Sequence, residues 1–165
     1  MSPKPVIRPA DKRDLDTLLA LSLRLSDEGH QADPRYRVFT FDQAATRRHA
    51  TDDWFHASRP FPYAWVAAQG DDIQGILTGR VVPAHPLLET PPTARIDALY
   101  VLPNARRGGL GRALVHAFCA SAADAGFPRH SVHTLSRDPR AVHFWRAAGF
   151  LDLFTELVSE PKENP

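Results

Sequence analysis

Cysteine, net charge and long apolar runs are scarce in this 165-residue chain, and lysine is missing from positions 13 to 161. Each scarcity removes a class of protein. Cys119 alone can close no internal disulfide, which excludes a small scaffold stapled by cystines. A formal charge of +1 leaves no basic excess for general nucleic-acid binding. No apolar run approaches the length of a bilayer span, so no membrane partner is expected. Charged residues from Lys4 to Asp16 also interrupt any signal-peptide core. A soluble, cytoplasmic protein is the expectation. Histidines are scattered, and His130 and His133, three apart in a strand, would face opposite ways. No metal site is expected, and Cys119, placed mid-helix, reads as a small buried apolar residue.

What is present fits one globular domain over 1–158 with a polar tail at 159–165. Hydrophobic content is 43% and charged content 24%, ordinary for a folded domain. A strand is predicted at 5–10, then a helix capped by Asp11 and running to about Asp27. A polar connection (27–40) leads to a helix from Asp42 to about Ala57. "YAWVAAQ" and "IQGILTGRVV" flank the turn signal "GDD", which predicts a hairpin. After the proline-rich 83–94 come strand 95–101, helix 109–125, strand 131–136, helix 139–148 and strand 150–158. The order βααβββαβαβ describes a mixed α/β domain.

"NARRGGLGRAL" (104–114) concentrates charge and backbone freedom where strand 95–101 meets the next helix. The apolar face of Leu110, Leu114, Ala117, Phe118 and Ala122 fixes that helix against the sheet. Its first N–H groups and its dipole then favour an anion. Gly108, Gly109 and Gly111 lack the Cβ atoms that would hold a phosphate off the backbone, and Arg106, Arg107 and Arg112 add countercharge. Two familiar phosphate motifs do not fit. The dinucleotide fingerprint requires glycine where Leu114 stands, and the mononucleotide loop requires a Gly-Lys-Ser/Thr that this lysine-poor region lacks.

"YVLPNARRGGLGRAL" instead resembles the pyrophosphate signature of the GNAT superfamily of N-acetyltransferases. Arg106, Gly109 and Gly111 match it, with Val101 and Pro103 in the lead-in; Arg107 stands where glycine is common. "SRDPRAVHFWRAAGF" (136–150) is similar to a second family segment through Ala141, Phe144, Gly149 and Phe150. There Asp138 replaces the usual Asn and Trp145 the usual Tyr. "VIRPADKRDLDTLLAL" resembles the family's opening strand and helix, so the likeness covers most of the chain.

The resemblance implies a mixed, mostly antiparallel central sheet flanked by helices, with parallel strands 4 and 5 splayed apart. It implies acetyl-CoA as co-substrate, its pantetheine arm lying in the gap along Leu99 to Val101. The pyrophosphate would meet residues 106–112, including Leu110, and Asp138, Ala141, Phe144 and Trp145 would border the cofactor. The acetyl group would pass directly to the primary amine of a small molecule or peptide. Oligomers are common in the family, and a homodimer would suit this chain.

Such chemistry needs a proton acceptor, because a primary amine is mostly ammonium at neutral pH. Asp97 is the candidate base. Strict alternation places it on the face of Leu99 and Val101, where desolvation would raise its pKa; the competing reading is a salt bridge with Arg95 or Arg80. Trp145 has no usable acidity for protonating the CoA thiolate and reads as core. Tyr100 is a candidate acid, although alternation turns it away from Asp97, and His143 is another. Glu28 and His30, in the first interhelical connection, are candidate acceptor contacts. The competing function is a non-catalytic acyl-CoA sensor.

Overall fold

In a computed structural model that describes residues 4–36, 43–84, 87 and 91–159, strand β1 (Val6–Pro9) runs into a short 3-10 turn, Lys12–Asp14. Charge pairing shapes this opening. The Asp11 carboxylate accepts from the Arg13 N–H, and buried Asp14 accepts from the Asp11 N–H at 2.9 Å. The guanidinium of Arg8 closes on Asp14 at 2.7 Å and 3.0 Å. Helix α1 follows as Leu15–Ala32 and buries Leu15, Leu18 and Leu21 on one face. It extends past Asp27, so Glu28 and His30 are helical residues and not part of a connection.

Helix α2 (Gln43–Phe55) is polar nearly throughout and meets the core through Ala50, Trp54 and Phe55. The expected cap at Asp42 lies outside the described residues. Strands β2 (Ala64–Gln69) and β3 (Asp72–Val82) form the expected hairpin, with Gly70 at φ +63° in its turn. Strand β4 is Thr93–Val101, helix α3 Leu110–Asp124, strand β5 His130–Val132 and helix α4 Pro139–Ala147.

The sheet order is β1-β2-β3-β4-β5, antiparallel except between β4 and β5. One face carries α3 and α4 over Trp65, Ala67, Leu77, Ala94 and Ile96, with Phe118 and Leu114 fully buried against them. The other face carries α1 over Val66, Ile76 and Tyr100.

Two features of β4 position the site. Its parallel pairing with β5 covers only Ala94 to Ile96, so the remaining residues to Val101 have no strand on that side. Its pairing with β3 slips between Thr78↔Ala98 and Gly79↔Ile96, which leaves Asp97 as the extra residue of a β-bulge. Gly79 belongs to the same device. A Cβ there would stand 2.5 Å from the Arg95 carbonyl and 2.6 Å from the Phe118 ring.

The strand predicted at 150–158 does not form. Phe150 packs on Trp145 at 5.3 Å, but residues 151–159 are exposed and without regular structure. The strand expected at 131–136 is shortened to three residues at the point where β4 and β5 part.

Candidate cofactor and acceptor site

The bulge reverses the facing that alternation implies. Leu99 and Val101 pack on the α3 side, whereas Tyr100 lies in the α1 cluster. Asp97 does not share the face of Leu99 and Val101. Its carboxylate meets Arg80 Nε at 3.2 Å and Arg95 Nε at 3.3 Å, and the Asp53 charge of α2 reaches it. Asp97 and Tyr100 therefore lie on the same face, opposite to the arrangement expected from strict period 2. Burial raises the Asp97 pKa above the ordinary carboxylate value, against the pull of the two arginines. About a third of its side chain stays exposed, so the group is desolvated yet reachable.

At the other end of β4, Pro103–Ala105 forms a 3-10 turn and the chain rises into α3. Gly109, the N-cap, sits at φ +83°, a conformation that costs little without a Cβ. Arg107 adopts φ +68°, the sole described non-glycine residue in that region. Gly111 serves packing: a Cβ would press on the Phe144 ring at 3.2 Å. At Gly108 the nearest atom to such a Cβ would be 3.7 Å away, so the fold itself does not demand glycine there. What the missing side chain leaves is access to the backbone.

The first bond within α3 runs from the Ala113 N–H to the Gly109 carbonyl, so the N–H groups of Leu110, Gly111 and Arg112 lack intrahelical partners. Arg107 and Arg112 are exposed beside them. Arg106 is held differently. Its Nε donates to the Val101 carbonyl at 2.8 Å and its Nη2 to Glu28 Oε1 at 2.7 Å, while its guanidinium lies 5.3 Å from the Tyr100 ring centroid. Tyr100 Oη donates to the same Glu28 oxygen at 3.1 Å. Burial and then Glu28 raise the Tyr100 pKa, which weakens it as an acid. Glu28 thus ties α1 to β4 and to the glycine-arginine turn. His30 is elsewhere, its Nδ1 donating to the Tyr36 carbonyl at 2.9 Å.

Leu99, Val101, Leu110, Ala141, Phe144 and Trp145 converge in the cluster under α3 and α4. Trp145 is buried with its ring edge-on to Phe144 at 5.0 Å, as a core residue. Asp138 caps α4, its Oδ1 accepting from the Arg140 and Ala141 N–H groups at 3.1 Å and 3.2 Å. Burial pushes the Cys119 thiol up to about 11, which makes it a poor nucleophile. Among the described residues no group of side chains could hold a metal ion, and no helix is long and apolar enough to cross a membrane.

The Acetyltransferase (GNAT) family profile matches residues 27–150, and the chain belongs to that family. Its fold is shared with solved acetyltransferases of low identity. The aminoglycoside antibiotic 6'-N-acetyltransferase AAC(6')-IG from Acinetobacter haemolyticus is 17% identical with a TM-score of 0.71, over 96% of this chain and 99% of that one. Aminoglycoside N-acetyltransferase AAC(6')-Iy, solved with CoA, is 14% identical with a TM-score of 0.72, over 95% and 94%. A structure titled transcriptional regulator from Bacillus halodurans C-125 is 20% identical with a TM-score of 0.71, over 94% and 99%. No curated protein matches the sequence.

Membership in this family makes acetyl-CoA the co-substrate. The residues present fit it: free helix N–H groups, two exposed arginines, the opening at Gly108, and a strand edge with no neighbour beyond Ile96.

Three relations escaped sequence reasoning: the bulge, the joining of Glu28 to Arg106 across 78 residues, and the diversion of Arg106 from the turn. A signal for the first was visible, since glycine inside a strand pattern, as in "GILTGRVV", marks bulges.

Proposed function

We propose that the protein transfers the acetyl group of acetyl-CoA to the primary amine of a small molecule or peptide, with Asp97 as the proton acceptor. The observation that carries this reading is the carboxylate on the β4 bulge, desolvated but reachable, beside the point where β4 and β5 separate. When bound, acetyl-CoA supplies an acetyl group activated as a thioester.

The N–H groups of Leu110, Gly111 and Arg112, with Arg107 and Arg112, would take the pyrophosphate. Arg106 would shape the turn while tethered to Glu28. The unpaired edge of Leu99 to Val101 would run beside the pantetheine arm, and Leu110, Ala141, Phe144 and Trp145 would wall it.

Asp97 removes a proton from the acceptor ammonium, directly or through water. The freed amine would attack the thioester carbonyl carbon; a C–N bond forms, the C–S bond breaks, the sulfur leaves as thiolate, and the second proton of the amine passes from nitrogen to that sulfur or to solvent. Tyr100 is a candidate to return a proton to sulfur, and its bond to Glu28 makes it a weak one. Solvent can serve instead.

Structural neighbours titled aminoglycoside acetyltransferases support a small-molecule amine as acceptor. The pairing of Asp97 with two arginines disfavours a polycation close to it. We further infer a cytoplasmic homodimer, the first from composition and the second from the exposed apolar segment at 151–158.

Acetyl-CoA turnover across an amine panel tests the reading. Acetylation by the wild type and its loss in Asp97→Asn support it. Tight cofactor binding with no transfer to any amine would assign the chain to acyl-CoA sensing.

A further inference from the structure

Arg80 and Arg95 stand directly opposite each other on β3 and β4. Like charges at facing positions of an antiparallel pair repel, so stability alone does not account for them. The bulge next to them brings one carboxylate, that of Asp97, into contact with both. One negative charge against two positive leaves this cluster a net cation. Asp53 of α2 is the other carboxylate whose charge reaches Asp97. It lies 3.6 Å from His49 and, among the described residues, bonds to neither arginine.

Contacts within the cluster are loose. Each arginine approaches Asp97 through Nε, at 3.2 Å and 3.3 Å, longer than the roughly 2.7–2.9 Å of a firm charge-assisted bond. Among the described residues, neither donates a hydrogen bond through an Nη group. Two planar forks, the geometry that matches a carboxylate, thus have donors to spare. The Arg80 side chain is 47% exposed and that of Arg95 21%, so a small molecule can reach them.

Asp97 is the proton acceptor of the transfer proposed above, and the inference rests on that reading. An anion held by the Nη groups lies beside the base, and so within a few bonds of the amine that Asp97 deprotonates. We propose that the acceptor is a compact amine with a carboxylate one or two carbons from its nitrogen, as in an α-amino acid, and that Arg80 and Arg95 hold that carboxylate. A single carboxylate matches the one positive charge in excess, whereas a doubly charged phosphate overshoots it. A polyamine would bring further positive charge against two arginines. A peptide N-terminus fits no better, because the carboxylate nearest its amine has become an amide. Binding also prepares the base: as the guanidiniums turn to the acceptor's carboxylate, they release Asp97 to the ammonium.

Initial rates with acetyl-CoA and matched acceptors test this. The panel is each proteinogenic amino acid as free acid and as carboxamide, with ethanolamine phosphate and ethanolamine beside them. In the wild type, free acids should exceed their carboxamides in kcat/KM by about tenfold or more for the best acceptor. Arg80→Gln and Arg95→Gln should bring that ratio near one, mainly through acceptor KM, and Arg80→Lys should keep part of it. Damage to the fold or to the base slows acid and amide alike and leaves the ratio unmoved. A ratio unchanged in both glutamine variants therefore overturns the assignment. So does a wild type that uses carboxamides equally well, prefers ethanolamine phosphate, or acetylates only amines without a carboxylate. Should no amine be acetylated, the transfer reading fails, and calorimetry on the CoA-saturated protein decides the carboxylate site without turnover. Binding of free acids but not carboxamides retains the site; binding of neither removes it.

Discussion

Asp97 gains its properties from a misfit of one residue. Were β3 and β4 in continuous register, Asp97 would point with Leu99 into the apolar side under α3, where a carboxylate is costly to bury. The bulge turns it to the face of Arg80, Arg95 and Tyr100, about a third exposed and with its pKa raised. In the proposed role of base, Asp97 must be deprotonated to act. The acidic limb of kcat/KM should therefore lie above the ordinary carboxylate pKa of about 3.9. Activity should be lost as pH falls through the Asp97 pKa and recovered as it rises. Asp97→Asn should lower kcat/KM by about 10²-fold or more and abolish that limb, with acetyl-CoA affinity retained; pH-rate profiles on both proteins check this.

Arg107 presents the opposite case, a residue in a conformation it does not favour. At φ +68° its Cβ crowds the backbone, a cost of about 1–2 kcal/mol, against which glycine costs about 0.4–1 kcal/mol in unfolded-chain entropy. Arg107→Gly should therefore stabilise the apo protein by up to about 1.5 kcal/mol, or up to about 3–6 °C in Tm. Its acetyl-CoA affinity should fall, because one of the two exposed guanidiniums is removed. Thermal melting with and without cofactor measures both effects.

At the scale of elements, β4 organises the molecule: its first half is paired on both sides and its second half on one. Gly79 allows Phe118 of α3 to press directly on the sheet at the bulge. Gly79→Ala places a Cβ against backbone that cannot yield, so it should destabilise by about 1–3 kcal/mol and disturb the position of Asp97. Denaturant unfolding should show the loss of stability, and kcat should fall with it.

Helices and the hairpin were legible in the sequence because their signals are local. The Gly70 turn, the α3 stripe and burial of Leu15 and Leu18 depend on near neighbours, and each appears where expected; of the stripe Leu15, Leu18, Leu19, Ser22 and Leu25 expected for α1, the last three are only partly buried and Leu21 is buried instead. The facing of Asp97 was not legible, since period-2 reasoning fails after a bulge set by a residue on another strand. The triad of Glu28, Tyr100 and Arg106 was equally hidden, because charge pairing across 72 to 78 residues leaves no periodic trace. Strand 150–158 failed for a third reason. A strand needs a partner as well as a pattern, and within the described residues of one chain it has none.

On the scale of the whole molecule, the sheet separates two tasks. Its α3 and α4 side gathers Leu99, Val101, Leu110 and Phe144 below the glycine-arginine turn, while its α1 side gathers Asp97, Tyr100 and Glu28. The proposed transfer needs a ligand that reaches both sides where the β4–β5 pairing ends. A formal charge near neutral overall, with arginines gathered at the turn, suits one phosphorylated ligand better than a polyanion. Calorimetric titration of the wild type with acetyl-CoA, alongside Arg107→Ala/Arg112→Ala, tests that central claim most directly. The account predicts one site per chain, with affinity falling about tenfold or more in the double variant as charge-assisted contacts are lost. Absence of binding to the folded wild type, or equal affinity in both proteins, would contradict it.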